Sequence, residues 1–374
     1  VYRRLFSLKP LADLDLLEGR KLDVAFVKKH YAQWHNSQTG PLLLAMPDGS
    51  GRTSFMNVLI GALFDDANVQ PLNLLRRVED EATFAKQVAA ALLITADESL
   101  TLDELESQIM ARKRSETPCV LVIDRFEHLM LCAPGGHKLI ERVLIFMSRT
   151  DNYIYWVINV STHAWHFLEK TMSPSSGFIS AYKVTNIQRQ ALEDIILKRH
   201  NRSGMSLHFK SNASSKNFFG LSRSKSEESL QETHRTAFFD RLHKLSGQNI
   251  LLALLYWLRA VEFDPDEDTL FVNAIQPISF SFLDTLDLPR AFTLKSFLTH
   301  GTLTLKEHMR VFKLNQNEST FILESLLNLR IIEPSMQDPD EPIHFRIESD
   351  QPYRLHPLIA HPVLELLTKK HIVY

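Results

Sequence analysis

Between Pro41 and Lys183 the chain alternates short apolar runs with stretches of helical period, and no other feature limits its fold so strongly. The runs are Leu42–Met46, Val69–Leu75, Cys119–Ile123, Ile154–Val160 and Tyr182–Val184. Between them, apolar residues recur at helical spacing in Thr53–Phe64, Glu81–Leu93, Leu102–Lys113, Lys138–Ser148 and Ala164–Lys170. Runs of four to eight apolar residues alternating with helices imply a parallel sheet covered on both faces, an α/β fold. Thr101-Leu-Asp-Glu104 has the spacing of a capping box, so a helix is expected to open there.

After Val184 the pattern predicts no further strands up to residue 287. Residues 186–200 and 236–262 read as helices, and the Ser-, Asn- and Lys-rich stretch 210–232 reads as a polar loop. From Leu288 three short helices are followed by two short strands, His344–Ile347 and Tyr353–His356, with a polar turn at Glu348–Pro352. Thr304-Leu-Lys-Glu307 and Asn315-Gln-Asn-Glu318 are two further capping boxes. This order predicts a winged helix. The expected organisation is an α/β core over 1–185, a helical lid over 186–287 containing the 210–232 loop, and a winged-helix domain over 288–374.

Composition removes several classes. The longest apolar run, Ile250–Leu258, has nine residues, against about 20 for a membrane-spanning helix. Two cysteines, Cys119 and Cys132, make no disulfide framework or metal site, which fits a reducing, cytoplasmic compartment. That expectation includes the cytosolic part of a larger membrane-associated protein. A start at Val1, not Met, is expected of a piece cut from a longer chain. The net charge is −2, and residues 290–374 carry ten basic and ten acidic side chains, which disfavours nucleic acid as partner.

The strongest motif follows the first apolar run: Leu42-Leu-Leu-Ala-Met-Pro-Asp-Gly-Ser-Gly-Arg-Thr-Ser54. A P-loop is a strand, then GxxxxGK[ST], then a helix, whose backbone N–H groups and positive dipole end hold phosphate. Gly49, Gly51 and Thr53 are kept, Met46 replaces the first glycine, and Arg52 replaces lysine. Arg52 keeps the charge, but its planar fork follows a departing phosphate less freely. Pro47, Asp48, Gly49, Ser50, Gly51, Arg52, Thr53 and Ser54 are therefore the candidate phosphate residues.

The run Cys119-Val-Leu-Val-Ile ends in Asp124, followed by Arg125, Phe126 and Glu127. A carboxylate at the C-terminal edge of a buried parallel strand lies where α/β sheets bind ligands. Asp124 and the Thr53 hydroxyl are the candidate Mg²⁺ residues, and Glu127 could orient an attacking water.

Asp124-Arg-Phe-Glu127 resembles the Asp-Gln-Phe-Glu signature of STAND NTPases, a signal-transduction branch of the AAA+ and P-loop ATPases. Residues Phe6 to Arg20 resemble that group's N-terminal segment, and Gly19 and Arg20 match its hydrophobic-x-Gly-Arg motif, which packs by the adenine. Trp156–Thr162 resembles the sensor 1 strand, with Ser161 or Thr162 in the sensing position. Ser246–Leu254 resembles the lid helix, with Ile250 in place of proline and no sensor 2 arginine. Tyr353-Arg-Leu-His356 resembles the winged-helix histidine motif, in which the histidine reaches the ADP β-phosphate; Pro357 stands where aspartate is usual. Origin-recognition-type AAA+ ATPases share the same plan.

The resemblance implies an ATP/ADP- and Mg²⁺-binding switch with slow hydrolysis, in which nucleotide state controls domain closure. The expected partner is a protein or a fused effector or sensor domain, with nucleotide-dependent homo-oligomers allowed. The alternatives are a degenerate pseudo-ATPase serving as a scaffold or regulatory domain, and an origin-recognition-like DNA-binding ATPase.

Overall fold

The computed structural model describes residues 2–6, 17–64, 66–112, 117–172, 179–210, 226–247, 249–266, 268–336 and 346–373. A short helix α1 (Tyr2–Leu5) and helix α2 (Lys21–His35) precede the first strand. The core then runs β1 (Leu42–Met46), α3 (Arg52–Ala62), β2 (Asn68–Asn73), α4 (Glu81–Ala91), α5 (Leu102–Ala111), β3 (Cys119–Asp124), α6 (Lys138–Thr150), β4 (Ile154–Ser161), α7 (Thr162–Met172) and β5 (Ser180–Lys183). A 3₁₀ turn, Phe126–Leu129, lies between β3 and α6.

The five strands form one parallel sheet in the order β2-β3-β4-β1-β5. Every residue of β1 and β4 is buried, as expected of central parallel strands with helices on both faces. Pro71 is tolerated in β2 because that strand is an edge, paired only with β3. The register sets Met46 beside Ser161 and Ile123 beside Ile158. The ends of β1, β3 and β4 therefore come together at one edge of the sheet.

Beyond the core come α8 (Arg189–Asn201), β6 (Ser206–Phe209), α9 (Glu227–Ser246), α10 (Ile250–Ala260), β7 (Val261–Asp264) and β8 (Thr269–Val272). Strands do not stop at Val184: β6, β8 and β7 form a second sheet, with β6 parallel and β7 antiparallel to β8. Each is four residues long, too short to show a period, and β7 follows α10 without a break. The polar stretch 210–232 is also not all loop. Ser226 caps α9 by accepting from the Ser229 amide, and Glu227 and Glu228 favour its N-terminal dipole; residues 211–225 lie outside the described residues.

The C-terminal elements are α11 (Leu288–His300), β9 (Thr302–Leu303), α12 (Leu305–Phe312), α13 (Gln316–Asn328), β10 (Ile332–Pro334), β11 (Tyr353–Leu355) and α14 (Ala360–Lys369). The capping boxes at Thr101, Thr304 and Asn315 all form with both reciprocal bonds. The strand expected at 344–347 is a correction. Residues 344 and 345 lie outside the described set, and Arg346 and Ile347 are not in a strand. β11 instead pairs with β10 and β9. The Tyr353 hydroxyl accepts from the Glu348 amide (2.9 Å) and donates to Arg346 O (3.3 Å), holding 346–348 as a loop. Among the described residues no helix is long and apolar enough to cross a membrane.

The C-terminal elements dock on the core through a buried polar seam. Arg77, which follows β2, donates to Glu307 (2.7 Å), Thr302 O (2.8 Å), Glu127 O (3.1 Å) and Met130 O. His128 Nδ1 donates to Leu74 O (2.6 Å), and its Nε2 accepts from the Thr302 hydroxyl (3.1 Å). His300 Nδ1 donates to Ser296 O (2.8 Å), and its Nε2 accepts from the Cys132 amide (2.8 Å). His300 needs a bare Nε2 to accept from the Cys132 amide, so its ring is neutral in the folded chain. Burial, and then Arg77, drives His300 down to about 3 and His128 well below the usual histidine range.

These histidines make stability depend on pH. Below about 6.5 the unfolded chain takes up protons that the folded chain refuses, so stability is full above 6.5 and falls as pH drops toward 3. Between pH 6.5 and 5, before carboxylates titrate, each such histidine contributes a slope of up to about 1.4 kcal/mol per pH unit. Urea denaturation of His300→Gln, whose amide oxygen can still accept from Cys132, is expected to show a shallower loss than the parent. Identical slopes would contradict this account of the seam.

Candidate functional site

β1 runs into a loop that the backbone bends twice through left-handed geometry, at Gly49 (φ +77°) and Gly51 (φ +87°). A Cβ at Gly49 would lie 2.6 Å from the Asn249 side chain. The first helical bond of α3 runs from the Phe55 amide to Gly51 O, so the Arg52 and Thr53 amides make no intrahelical bond. That end of α3 is an anion-binding geometry.

Three groups hold the loop from outside. The Ile250 amide donates to Gly49 O (2.9 Å). Asn249 caps α10 by accepting from the Leu252 amide (3.0 Å), and its amide donates to Pro357 O (2.8 Å). Arg20, 2% exposed, donates to Ser50 O (2.9 Å), Asp23 (3.3 Å) and Thr185 O. Arg20 thus positions the loop, while Gly19 (φ +73°) lets the chain pass α8 where a Cβ would lie 2.6 Å from the Ala191 Cβ. Pro47 O accepts from both the Ser50 amide (3.3 Å) and the Ser50 hydroxyl (2.6 Å), closing the turn.

A cavity of about 290 Å³ opens over this loop. Its polar wall includes Asp48, Gly49, Ser50, Gly51, Arg52, Thr53 and Ser54, together with Asp124, Arg125 and Glu127. Leu17, Ile195, Leu251 and Leu254 supply apolar surface, and Arg199 lies on the same lining. Arg354 and Leu355 reach it from β11. All three expected parts of the chain therefore contribute to one cavity.

Arg52 does not project freely into this space. Its guanidinium pairs with Glu127 (2.9 Å) and Asp48 (3.1 Å), with Asp124 at 3.8 Å. Burial alone would lower its pKa, but the three carboxylates outweigh that and hold its proton more firmly than usual. Glu127 is 2% exposed; its Oε1 takes Arg52 and its Oε2 accepts from the Ser161 amide (3.3 Å). Burial pushes the Glu127 carboxyl up, opposed by Arg52. Both Glu127 oxygens are thus engaged by protein groups. Asp124 Oδ1 accepts from Asn159 Nδ2 (2.7 Å) and the Arg125 amide (2.9 Å).

Four expected site residues are not on the lining: Gly19 and Pro47, which shape the chain beside it, and Ser161 and His356, which lie elsewhere. Ser161 is buried off the cavity wall: its hydroxyl accepts from the Ala164 amide (3.0 Å) and donates to Leu298 O (3.4 Å). The polar residue of β4 that touches Asp124 is Asn159, visible in the sequence as the one amide in an otherwise apolar run. His356 turns to Glu333 (3.7 Å) and accepts from the Leu358 amide (3.3 Å); it does not line the cavity. Arg354, two residues earlier, does, while pairing with Glu333 (2.7 Å). Arg125 and Arg199 were also missed. Arg125 has φ +61°, and its guanidinium makes no hydrogen bond or ion pair among the described residues.

No protein-family profile matches the chain, and no curated protein matches it in sequence. Among solved structures, the Aeropyrum pernix ORC2 protein, in ADPNP–ADP complexes, is 13% identical over 98% of this chain and 97% of its own, with a TM-score of 0.52. The chain shares the fold of that ORC2 protein. The Aeropyrum pernix ORC1 protein in complex with DNA (13% identical, 99% and 97% covered) and Pyrobaculum aerophilum Cdc6p (14%, 99% and 99%) each have a TM-score of 0.43, too low to carry further argument.

The Gly49–Asn249 contact gives a direct test. Gly204 has a similar φ of +73°, but a Cβ there would meet nothing within 4 Å. Gly204→Ala should therefore show only the left-handed backbone cost of about 1–2 kcal/mol. Gly49→Ala should lose at least about 1 kcal/mol more in urea denaturation, since the Asn249 side chain must leave its place between Leu252 and Pro357. Equal losses would show that the loop is not held by α10.

Proposed function

We propose that this chain is an ATP-binding, slowly hydrolysing switch module of the STAND/AAA+ kind, in which nucleotide state sets the docking of the winged helix on the core. One observation carries the reading. The 3₁₀ turn Phe126–Leu129 is bonded at once to the phosphate-loop arginine, through the Glu127 carboxylate, and to the C-terminal elements, through Arg77 and His128. Phosphate entering the loop competes with Glu127 and Asp48 for Arg52. Glu127 then loses its main counter-charge inside a buried site, and the turn that carries it has to adjust. That turn is also the seat of Thr302, so the adjustment reaches β9.

The Mg²⁺ that usually accompanies ATP fits the residues present. The exposed Thr53 hydroxyl and the second Asp124 oxygen offer two oxygen donors on one wall, and Asn159 Oδ1 is a buried acceptor without a partner nearby. Mg²⁺ takes few protein ligands and keeps waters and phosphate oxygens; it would supply charge neutralisation at the phosphates. Arg125 and Arg354 lie on the same cavity and are the chain's own further cations for phosphate, Arg354 once it exchanges Glu333 for ligand. Hydrolysis is slow in this reading because the residue in the lysine position is tied to three carboxylates.

The shared fold with the ORC2 protein favours the origin-recognition plan over the STAND plan, and with it a second reading as a DNA-binding ATPase. In the winged-helix reading α13 would be the groove-reading helix, and its composition argues against DNA. It carries Glu318 and Glu324, exposes Phe321, and has no lysine or arginine. A protein partner, or a fused effector or sensor domain, suits that face better. A pseudo-ATPase scaffold differs from the switch by turnover alone, not by binding.

Calorimetric titration with ATP and Mg²⁺ is expected to show saturable binding that Gly51→Glu abolishes; no binding at millimolar ATP would contradict the reading. Turnover should lie below about 10 s⁻¹, the enzyme median. Arg52→Lys should raise it or leave it unchanged, and a fall would show that the arginine is adapted to the chemistry.

A further inference from the structure

Arg199 is 5% exposed, and among the described residues its guanidinium has no hydrogen bond and no ion pair. An arginine buried in that way is costly to the folded chain, because the lost hydration is not replaced. It lies one turn after Ile195 on α8, so both side chains share a helix face, and both line the cavity beside the apolar surface of Leu17, Leu251 and Leu254. Burial is the only influence that shifts it, and the shift is downward. Arg125, by contrast, feels Asp124, Arg52, Glu127 and Arg354. Arg199 stands on α8, outside the loop that carries Arg52, and shares the lining with Glu18 as well as with the apolar side chains. A buried cation with five donors and no acceptor, beside the apolar surface of Leu17, Ile195, Leu251 and Leu254, suits acceptor atoms on a flat apolar group.

Resting on the nucleotide reading above, we propose that Arg199 reads the base: its guanidinium donates to a ring-nitrogen acceptor of the purine that packs against Leu17, Ile195, Leu251 and Leu254. Bound base completes the hydrogen bonding that the unliganded chain leaves open. The same residue then costs stability without ligand and adds affinity with it.

The experiment pairs melting curves with titrations of ATP and its 1-deaza, 3-deaza and 7-deaza analogues, on the wild-type chain and on Arg199→Met. Methionine fills the apolar site without charge. Unliganded Arg199→Met is expected to melt at or above the wild-type temperature and to bind ATP about ten-fold more weakly or worse. One deaza analogue should bind the wild type about ten-fold more weakly than ATP and bind Arg199→Met no differently from ATP. Wild-type chain that binds all three analogues as it binds ATP overturns the proposal without use of the variant. Unliganded Arg199→Met melting below wild type, or failing to fold, overturns it too and makes Arg199 structural. Failure of ATP itself to bind wild type removes the nucleotide reading, and this inference with it.

Discussion

Glu127 is the point on which the rest of the structure depends. Its carboxylate holds Arg52 of the phosphate loop and the amide at the end of β4, while its carbonyl accepts from Arg77, which also holds Glu307 and Thr302. A buried ion pair adds little net stability, because desolvation offsets attraction, but removing one partner leaves a charge that costs about 3–5 kcal/mol. The pair therefore adds little net stability, yet breaking it is costly. Anything that draws Arg52 away changes the energy of a turn bonded both to the sheet edge and to the C-terminal elements.

The loop itself is held in shape before any ligand arrives. Arg20 takes Ser50 O, Ile250 takes Gly49 O, and Asn249 packs against Gly49 while bonding Pro357. Rigid backbone donors need no reordering when an anion binds, so more of the interaction appears as affinity. The same contacts tie the loop to the start of α10 and to Pro357, just after β11. Arg125 and Arg199 stand apart from this network with no partner among the described residues, and they add positive charge to the cavity lining.

Much of this was legible in the sequence because it is local. The five core strands, the three capping boxes and the strand–loop–helix around Gly49 follow from residue types at fixed spacings. Short strands were not legible: four residues such as Ser206–Phe209 carry no readable period, and β6 gains its meaning only from pairing with β8. The two displaced site residues share a cause. Asn159 and Ser161, like Arg354 and His356, are two apart along extended chain, so they share a side. Alternation fixes that side. Which of Asn159 and Ser161 touches Asp124, and which of Arg354 and His356 lines the cavity, is set by register against neighbouring strands and by partners such as Glu333, which no local pattern reports. The Arg52–Glu127 pair was hidden for the same reason, since the two lie 75 positions apart, whereas Asp48 is a local partner.

The central claim is that nucleotide and winged helix are coupled through the turn at Glu127, and amide hydrogen exchange with and without ATP tests it most directly. In the wild-type chain, ATP should protect the amides of the phosphate loop and also change exchange at Thr302–Leu303. In Arg77→Ala the loop amides should still gain protection while Thr302–Leu303 no longer responds. Protection of the loop in the wild type with no change at Thr302–Leu303 would contradict the coupling and leave only a binding site.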